Sequence, residues 1–360
     1  MTTTPTAIEA RGLVRRFGRG DRAVTAVDGV DLDVPAGTVF GLLGPNGAGK
    51  TTVVRMLTGL LPLTGGRATV AGVTIDSHGV ADSAALRTRI GLAGQYAGVD
   101  EALTGRENLR MFGRLGHLTR ASRRARADEL LERFDLTAAA DRPARTYSGG
   151  MRRRLDLAAA LVGDPRVVFL DEPTTGLDPR SRIALWEVVE DLVATGTTVL
   201  LTTQYLEEAD RLAATLAVID RGRVIARGTP GELKASLGGS TLRVRLAERN
   251  QAAAAVGALA GAGSGSAHVV EGVVRLPVDD PGAALPDLVR RLDAAGVAIR
   301  GVDIHEPTLD DVFLALTGRA VSGSDTGGSE TDGGDAGGRN PDGTDGTVRP
   351  TDTDPARSAA

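Results

Sequence analysis

At 360 residues, with 41% hydrophobic and 24% charged side chains, the chain has the composition of a globular protein and material for one to three domains. A net charge of −4 and a pI near 5.7 argue against nucleic acid as the main partner, and the absence of cysteine rules out disulfide and thiol chemistry and suits the cytosol. No apolar run approaches the roughly eighteen residues needed to span a bilayer, and Met1–Pro5 lacks the charged-then-apolar build of a signal peptide.

In chain order, residues 6–34 read as short strands, closed by the Pro35-Ala36-Gly37 turn. An apolar strand follows, Val39-Phe40-Gly41-Leu42-Leu43, then the stretch Gly44-Pro45-Asn46-Gly47-Ala48-Gly49-Lys50-Thr51-Thr52, then the helix-like Val53–Leu57. After a β segment at 67–75 and a short helix near 82–88, Ile90 to Gln95 reads as a strand ending on a polar residue. From about 101 to 162 the pattern turns helical: Thr104 and Glu107 are spaced as a capping box, and Ala127–Leu136 alternates apolar and charged positions as an amphipathic helix. The basic residues from Arg114 to Arg126 read as a solvated face. A buried-strand signature returns at Val167–Leu170, followed by Asp171-Glu172-Pro173, a helix over 179–194 and a strand at 197–201 leading to Thr202-Thr203-Gln204. Alternating strands and helices predict a largely parallel sheet with ligands at the carboxyl ends of its strands, where every polar motif falls.

Residues 234–240 read as a linker. Beyond it a strand at 242–246, an Ala-rich helix at 249–262, one or two strands at 268–276, a helix at 282–295, a strand at 297–304 and a helix at 308–317 give the order of a small ferredoxin-like α+β domain. From about 319 to 360 Gly, Asp, Thr, Ser and Pro dominate, a composition that cannot recover its ordering entropy and is expected to be disordered.

The chemistry starts at Gly44–Thr52. Its strand–loop–helix context is the one a G-x-x-x-x-G-K-[ST] segment needs to bind phosphate. Glycines let successive N–H groups turn inward at phosphate oxygens, and the next helix adds its positive end. Lys50, one of only two lysines in the chain, would reach the β/γ-phosphates, with the Thr51 hydroxyl on Mg²⁺. Asp171 closes an apolar strand and can hold Mg²⁺ through water; Glu172 beside it can orient or deprotonate an attacking water. Tyr147-Ser148-Gly149-Gly150-Met151 opens a helix. Ser148 is a good N-cap, but two successive glycines exceed what a cap needs and permit close approach of a second anion.

Taken together, these motifs resemble the ATP-binding subunit of an ABC transporter over residues 6–236, a P-loop NTPase cassette with a helical subdomain at about 101–162. The resemblance implies that Gly44 to Thr52 is the Walker A loop and Asp171 and Glu172 are the Walker B and catalytic carboxylates. Gln95 becomes the Q-loop glutamine, reaching Mg²⁺ near the membrane-subunit contact. Ser148-Gly149-Gly150 becomes the signature that completes the opposite subunit's site. Gly176-Leu177-Asp178 becomes the D-loop, and Phe17 the aromatic that stacks on adenine. Within the family, Gly94–Ala97, Leu103–Leu109, Tyr147–Asp156, Thr203–Asp210 and Glu306–Phe313 are most similar to the daunorubicin/doxorubicin-resistance type. Two residues depart from the general pattern: Gln204 stands where most relatives carry the switch histidine and cannot carry a proton, and Met151 replaces the usual signature glutamine.

The resemblance implies an ATP- and Mg²⁺-using enzyme, working as a homodimer on the cytoplasmic face of the cell membrane. It would drive a separate integral-membrane permease that exports a hydrophobic drug or natural product. The competing reading is a soluble ABC ATPase of translation or DNA repair, although such chains usually carry two cassettes or large insertions. A GTPase lacks support because no N-K-x-D segment is present, and a non-catalytic nucleotide scaffold draws support only from Gln204.

Overall fold

The computed structural model describes residues 5–94 and 98–318; Gln95 and the 319–360 stretch lie outside the described residues. Thr6–Phe17 and Val24–Pro35 pair antiparallel, and Gly65–Val70, Val73–Asp76 and Gly79–Val80 extend them into a five-stranded sheet. The stretch expected as several short strands is therefore two twelve-residue strands. Their pairing survives register shifts such as the one between Ala10 and Leu13, where Gly12 adopts φ 57° and lets the strand bulge rather than end.

The second sheet runs in the order Arg223–Gly228, Thr215–Asp220, Val39–Leu43, Thr198–Thr203, Val167–Asp171, Ile90–Ala93. Only the first pair is antiparallel. Every residue of Val39–Leu43, Val167–Asp171 and Thr198–Thr203 is buried, as unbroken apolar runs covered on both faces require. The parallel register brings Leu43 opposite Thr203 and Thr202 opposite Asp171, so the three chemically loaded turns leave the sheet side by side. The strand expected to reach Gln95 ends at Ala93.

Helices Gly105–Leu115, Arg120–Arg133 and Gly149–Ala160 enclose Leu109, Leu130, Leu131, Phe134 and Leu155 in one apolar cluster. The capping box at Thr104 and Glu107 is formed. The helix expected at 127–136 begins earlier, because Thr119 caps it through the Ser122 N–H, and Phe134 closes it. On its face Arg120 and Arg124 are exposed, while Arg126 folds back onto Glu129 and Asp164.

The C-terminal sheet has the order His268–Val270, Val273–Val278, Ser240–Leu246, Ile299–His305, all neighbours antiparallel, with helices Ala252–Ala258 and Pro281–Ala294 between them in sequence. This is the ferredoxin-like order. The expected 234–240 linker is shorter: Lys234 belongs to a helix, Pro230–Ala235, with a capping box at Thr229 and Glu232, and Ser240 already opens a strand. The Ala-rich helix stops at Ala258 because the glycines that follow take loop conformations, Gly261 at φ 71° and Gly263 pressed against the Pro277 carbonyl.

The last described helix, Leu309–Thr317, does not pack on that sheet's core. Leu309, Val312 and Phe313 are buried with Leu206, Ala209 and Leu233 of the cassette and with Leu43, the residue before the glycine-rich loop. Beneath the same region Glu208 is fully buried and accepts a hydrogen bond from the Trp186 indole at 3.1 Å. Burial pushes its carboxyl pKa up, which costs stability wherever the unfolded chain would release the proton and the folded chain holds it.

Phe313→Ala is expected to cost about 3–5 kcal/mol, measured by denaturant unfolding, with the 309–317 segment becoming sensitive to protease first. Wild-type stability should fall relative to Glu208→Gln as pH rises from the ordinary glutamate value of 4.5 toward the raised folded value; equal pH dependence of the two proteins would refute the buried acid.

Candidate phosphate and carboxylate site

The loop after Val39–Leu43 curls through Gly47 at φ 80° and Gly49 at φ 108°, and a Cβ on Gly49 would meet the Ala26 carbonyl at 2.6 Å. Only glycine fits there, on both counts. The loop's first residue is tied to the neighbouring strand by the Gly44 N–H, which donates to the Thr203 carbonyl at 3.3 Å. Lys50 opens the helix Lys50–Leu57 and is 3% exposed. Its ammonium donates to the Gly44 carbonyl at 2.8 Å and the Pro45 carbonyl at 3.1 Å, and sits 3.0 Å from the Glu172 carboxylate. All three donors of the ammonium are engaged.

Asp171 and Glu172 part company in their surroundings. One oxygen of Asp171 accepts from the Thr202 hydroxyl at 2.6 Å and from the Thr51 hydroxyl at 3.1 Å. Glu172 leaves the strand at φ 50°, a region that non-glycine residues avoid, and its N–H donates to both the carbonyl and the hydroxyl of Thr202. Its side chain is thereby turned from the sheet toward Lys50. Thr51 and Asp171 are hard-oxygen donors within hydrogen-bond distance of one another, a donor set that suits Mg²⁺. Gln95, assigned by sequence to the same ion, lies outside the described residues.

Ser148 is the N-cap of Gly149–Ala160, accepting from the Met151 N–H at 3.2 Å. The two glycines after it differ. A Cβ on Gly150 would meet the Ser181 hydroxyl at 2.6 Å, so close packing against the next helix explains it. Nothing lies within 4 Å of a Cβ on Gly149, which leaves that helix end open to a second body. Asp178 caps Pro179–Ala194, accepting from the Ser181 N–H and hydroxyl at 2.8 and 3.0 Å. Phe17 ends its strand opposite Val24, two residues before the Ala26 carbonyl that contacts Gly49. The residue is 41% exposed, with the Arg15 guanidinium 4.7 Å from the ring centroid. Gln204 directly follows Thr203, at the strand end bonded to Gly44.

The sheet thus brings Lys50, Thr51, Asp171, Glu172 and the Thr203–Gln204 turn to one edge. Ser148 and Gly149 lie on a separate helix end, and among the described residues no hydrogen bond joins them to the loop. Sequence reading missed Thr202, the buried hydroxyl that organises both carboxylate positions; a threonine pair ending the Val-Leu-Leu strand was the available signal. It also missed Arg153 and Asp156. The Arg153 guanidinium donates to the carbonyls of Gly94 at 2.5 Å and Pro173 at 2.7 Å, and more weakly to Asp171 at 3.4 Å. Asp156 lies 3.4 Å from it and accepts from the Gly98 N–H at 2.6 Å. Burial pushes the Arg153 pKa down and the Asp156 pKa up, so each charge depends on the other.

Comparison with known proteins agrees with this geometry. The ABC transporter family profile matches residues 27–175, and the profile of the C-terminal domain of DrrA1-3-like ATP-binding proteins matches residues 228–317. The chain is 54% identical to the daunorubicin resistance ATP-binding protein DrrA2 of Streptomyces coeruleorubidus, covering 87% of this chain and 95% of that one. It is 52% identical to the daunorubicin/doxorubicin resistance ATP-binding protein DrrA of Streptomyces peucetius (88% and 94% covered). It is 34% identical to the linearmycin resistance ATP-binding protein LnrL of Bacillus subtilis (87% and 99% covered). Among solved structures, a nucleotide-free ATP-binding cassette from an ABC transporter superposes with a TM-score of 0.58 at 27% identity, covering 65% of this chain and 95% of that one. A loop shaped for phosphate, a paired carboxylate edge and these relatives lead to one conclusion: the chain belongs to the ABC transporter ATP-binding proteins, in the daunorubicin/doxorubicin-resistance group, and is an ATPase.

Proposed function

We propose that this ATPase powers export of a hydrophobic drug or natural product through a separate integral-membrane permease, as a homodimer on the cytoplasmic face of the cell membrane. The observation that carries the catalytic part is the 3.0 Å pair between Lys50 and Glu172, which puts the phosphate-binding cation and the candidate base at one point. An ATP γ-phosphate competes for the Lys50 ammonium, and as that pair opens the Glu172 carboxylate becomes available to orient water and take its proton. Mg²⁺, held through Thr51 and Asp171 with Gln95, would neutralise charge on the phosphates. Thr202 fixes the Asp171 carboxylate, and Phe17 offers a face for adenine. The Gln204 amide donates to the γ-phosphate but cannot shuttle a proton, which predicts real but slow turnover.

The open end of Gly149–Ala160 supports assembly in pairs: its N–H groups and the Ser148 hydroxyl can receive phosphate held on the Gly44–Thr52 loop of a second copy, with Asp178 at the contact. We assign residues 1–236 to the ATP-binding cassette, with its helical subdomain at 101–162, and 241–318 to a smaller domain anchored by Leu309–Thr317. Among the described residues no helix is long and apolar enough to cross a membrane. An apolar groove lies beside the strand that leads to Gln95, lined by Leu60, Leu92, Phe112, Leu115 and His117. Leu60 and Leu115 are about two-thirds exposed, at 66% and 68%, and the groove fits a permease segment.

Glu172→Gln should lower ATP turnover by about 10²- to 10⁴-fold with MgATP affinity preserved; unchanged turnover removes Glu172 from the chemistry. The wild-type chain should co-purify with a polytopic membrane protein, and Leu60→Glu with Leu115→Glu should abolish that association while the protein still binds ATP. A chain that stays wholly soluble and recovers ribosomes or DNA instead would establish the translation or repair reading.

A further inference from the structure

The Glu172 backbone is the least comfortable part of the site. A glutamate at φ 50° is strained and persists only where its surroundings over-determine it. Thr202 holds one atom of that residue, the N–H. The Glu172 carbonyl accepts from the Thr175 N–H at 3.3 Å, and the carbonyls of the residues on either side are held from elsewhere. The carbonyls of Asp171 and Pro173 both accept from Arg153, which reaches out of the Gly149–Ala160 helix with only 12% of its side chain exposed. The same guanidinium binds the Gly94 carbonyl at the end of the neighbouring strand, and Asp156, one helical turn on, binds the Gly98 N–H. An ion pair this buried, with three carbonyls arranged around one planar fork, is expensive to build without a purpose beyond packing.

We infer that Arg153 is a positioning residue for ATP hydrolysis: from the signature helix it clamps the chain on both sides of Glu172, so that the carboxylate is held facing Lys50, with Asp156 as its counter-charge. This rests on the assignment of Glu172 as the base. Methionine in place of Arg153 fills comparable space but frees the carbonyls of residues 171 and 173, letting the turn relax toward an ordinary φ and swing the carboxylate away. Among the described residues no hydrogen bond joins Arg153 to the phosphate loop, so nucleotide affinity is expected to be insulated from the change. Lysine keeps the charge, yet a compact ammonium lacks the planar fork that reaches the Gly94 carbonyl and the 171–173 turn together.

The test is a double-mutant cycle on the full-length chain, reading ATP turnover under single-turnover conditions, MgATP affinity and thermal stability for wild type, Arg153→Met, Glu172→Gln and the double variant. Arg153→Met should slow turnover by about tenfold or more with affinity within about twofold of wild type. In the Glu172→Gln background it should cause no further loss beyond about twofold, because the group it positions is gone. Equal fractional losses in both backgrounds would overturn the positioning role while leaving Glu172 as the base; a fully active Glu172→Gln would instead overturn the assignment of the base. Should Arg153→Met fail to fold, Arg153→Lys decides. With wild-type melting temperature its turnover should still drop several-fold (about three or more), and wild-type turnover would refute the clamp.

Discussion

The site depends on one buried ion pair. Lys50 and Glu172 are nearly removed from water, with side chains 3% and 10% exposed, and such charges are tolerable only if paired and hydrogen-bonded. Lys50 meets that condition by spending its other two donors on the carbonyls of Gly44 and Pro45. The pair therefore ties the loop to the carboxylate strand and fixes the curl of the loop as well. In the proposed function, a phosphate that takes over the ammonium would replace one anion with another, leaving the loop its shape and releasing the carboxylate. Pre-organisation of this kind places the electrostatic term where charge develops, without rebuilding the site for each turnover.

That pair in turn needs the sheet. Strands Val39–Leu43, Thr198–Thr203 and Val167–Asp171 are parallel and in register, so their following turns emerge at one edge. Gly44 is tied to Thr203, Thr202 is tied to Asp171 and Glu172, and Thr51 is tied to Asp171. Each bond joins segments far apart in sequence, and each involves a group that would be costly to bury unpaired. The φ of 50° at Glu172 is a local conflict in this arrangement, and it falls on the residue whose carboxylate meets Lys50.

The legibility of the sequence follows the range of the interactions. Gly47, Gly49 and Lys50 were readable because loop shape is a local property: two positive φ angles and one buried cation all lie within four residues. The ferredoxin-like order was readable because strand and helix periods are local too. Thr202 was not, since a threonine ending a strand looks the same whether it faces solvent or a carboxylate on the next strand. Arg153 was hidden by its neighbours: in Arg152-Arg153-Arg154 nothing local says that the middle guanidinium turns inward while Arg152 pairs with Glu101 near the surface. Gly150 has a second reason to be glycine that the sequence does not show. It suggested an anion, and its immediate cause is the Ser181 hydroxyl packed against it; Gly149 is the one with open space. Lys234–Ser240 looked like a linker because a six-residue helix carries too little periodicity to register, although its Thr229–Glu232 capping box was there to be read.

The C-terminal helix extends the same logic to the edge of the cassette. Leu309, Val312 and Phe313 share one apolar cluster with Leu43, which precedes the phosphate loop, and with Leu206 and Ala209, which follow Gln204. Packing at protein density transmits displacement, because a close-packed cluster has few voids in which to absorb it. A helix seated there therefore bears on the strand end before the Gly44–Thr52 loop and on the helix that follows Gln204. The small domain is thus joined to the site by a shared core, through the helix that leaves its own sheet to reach it.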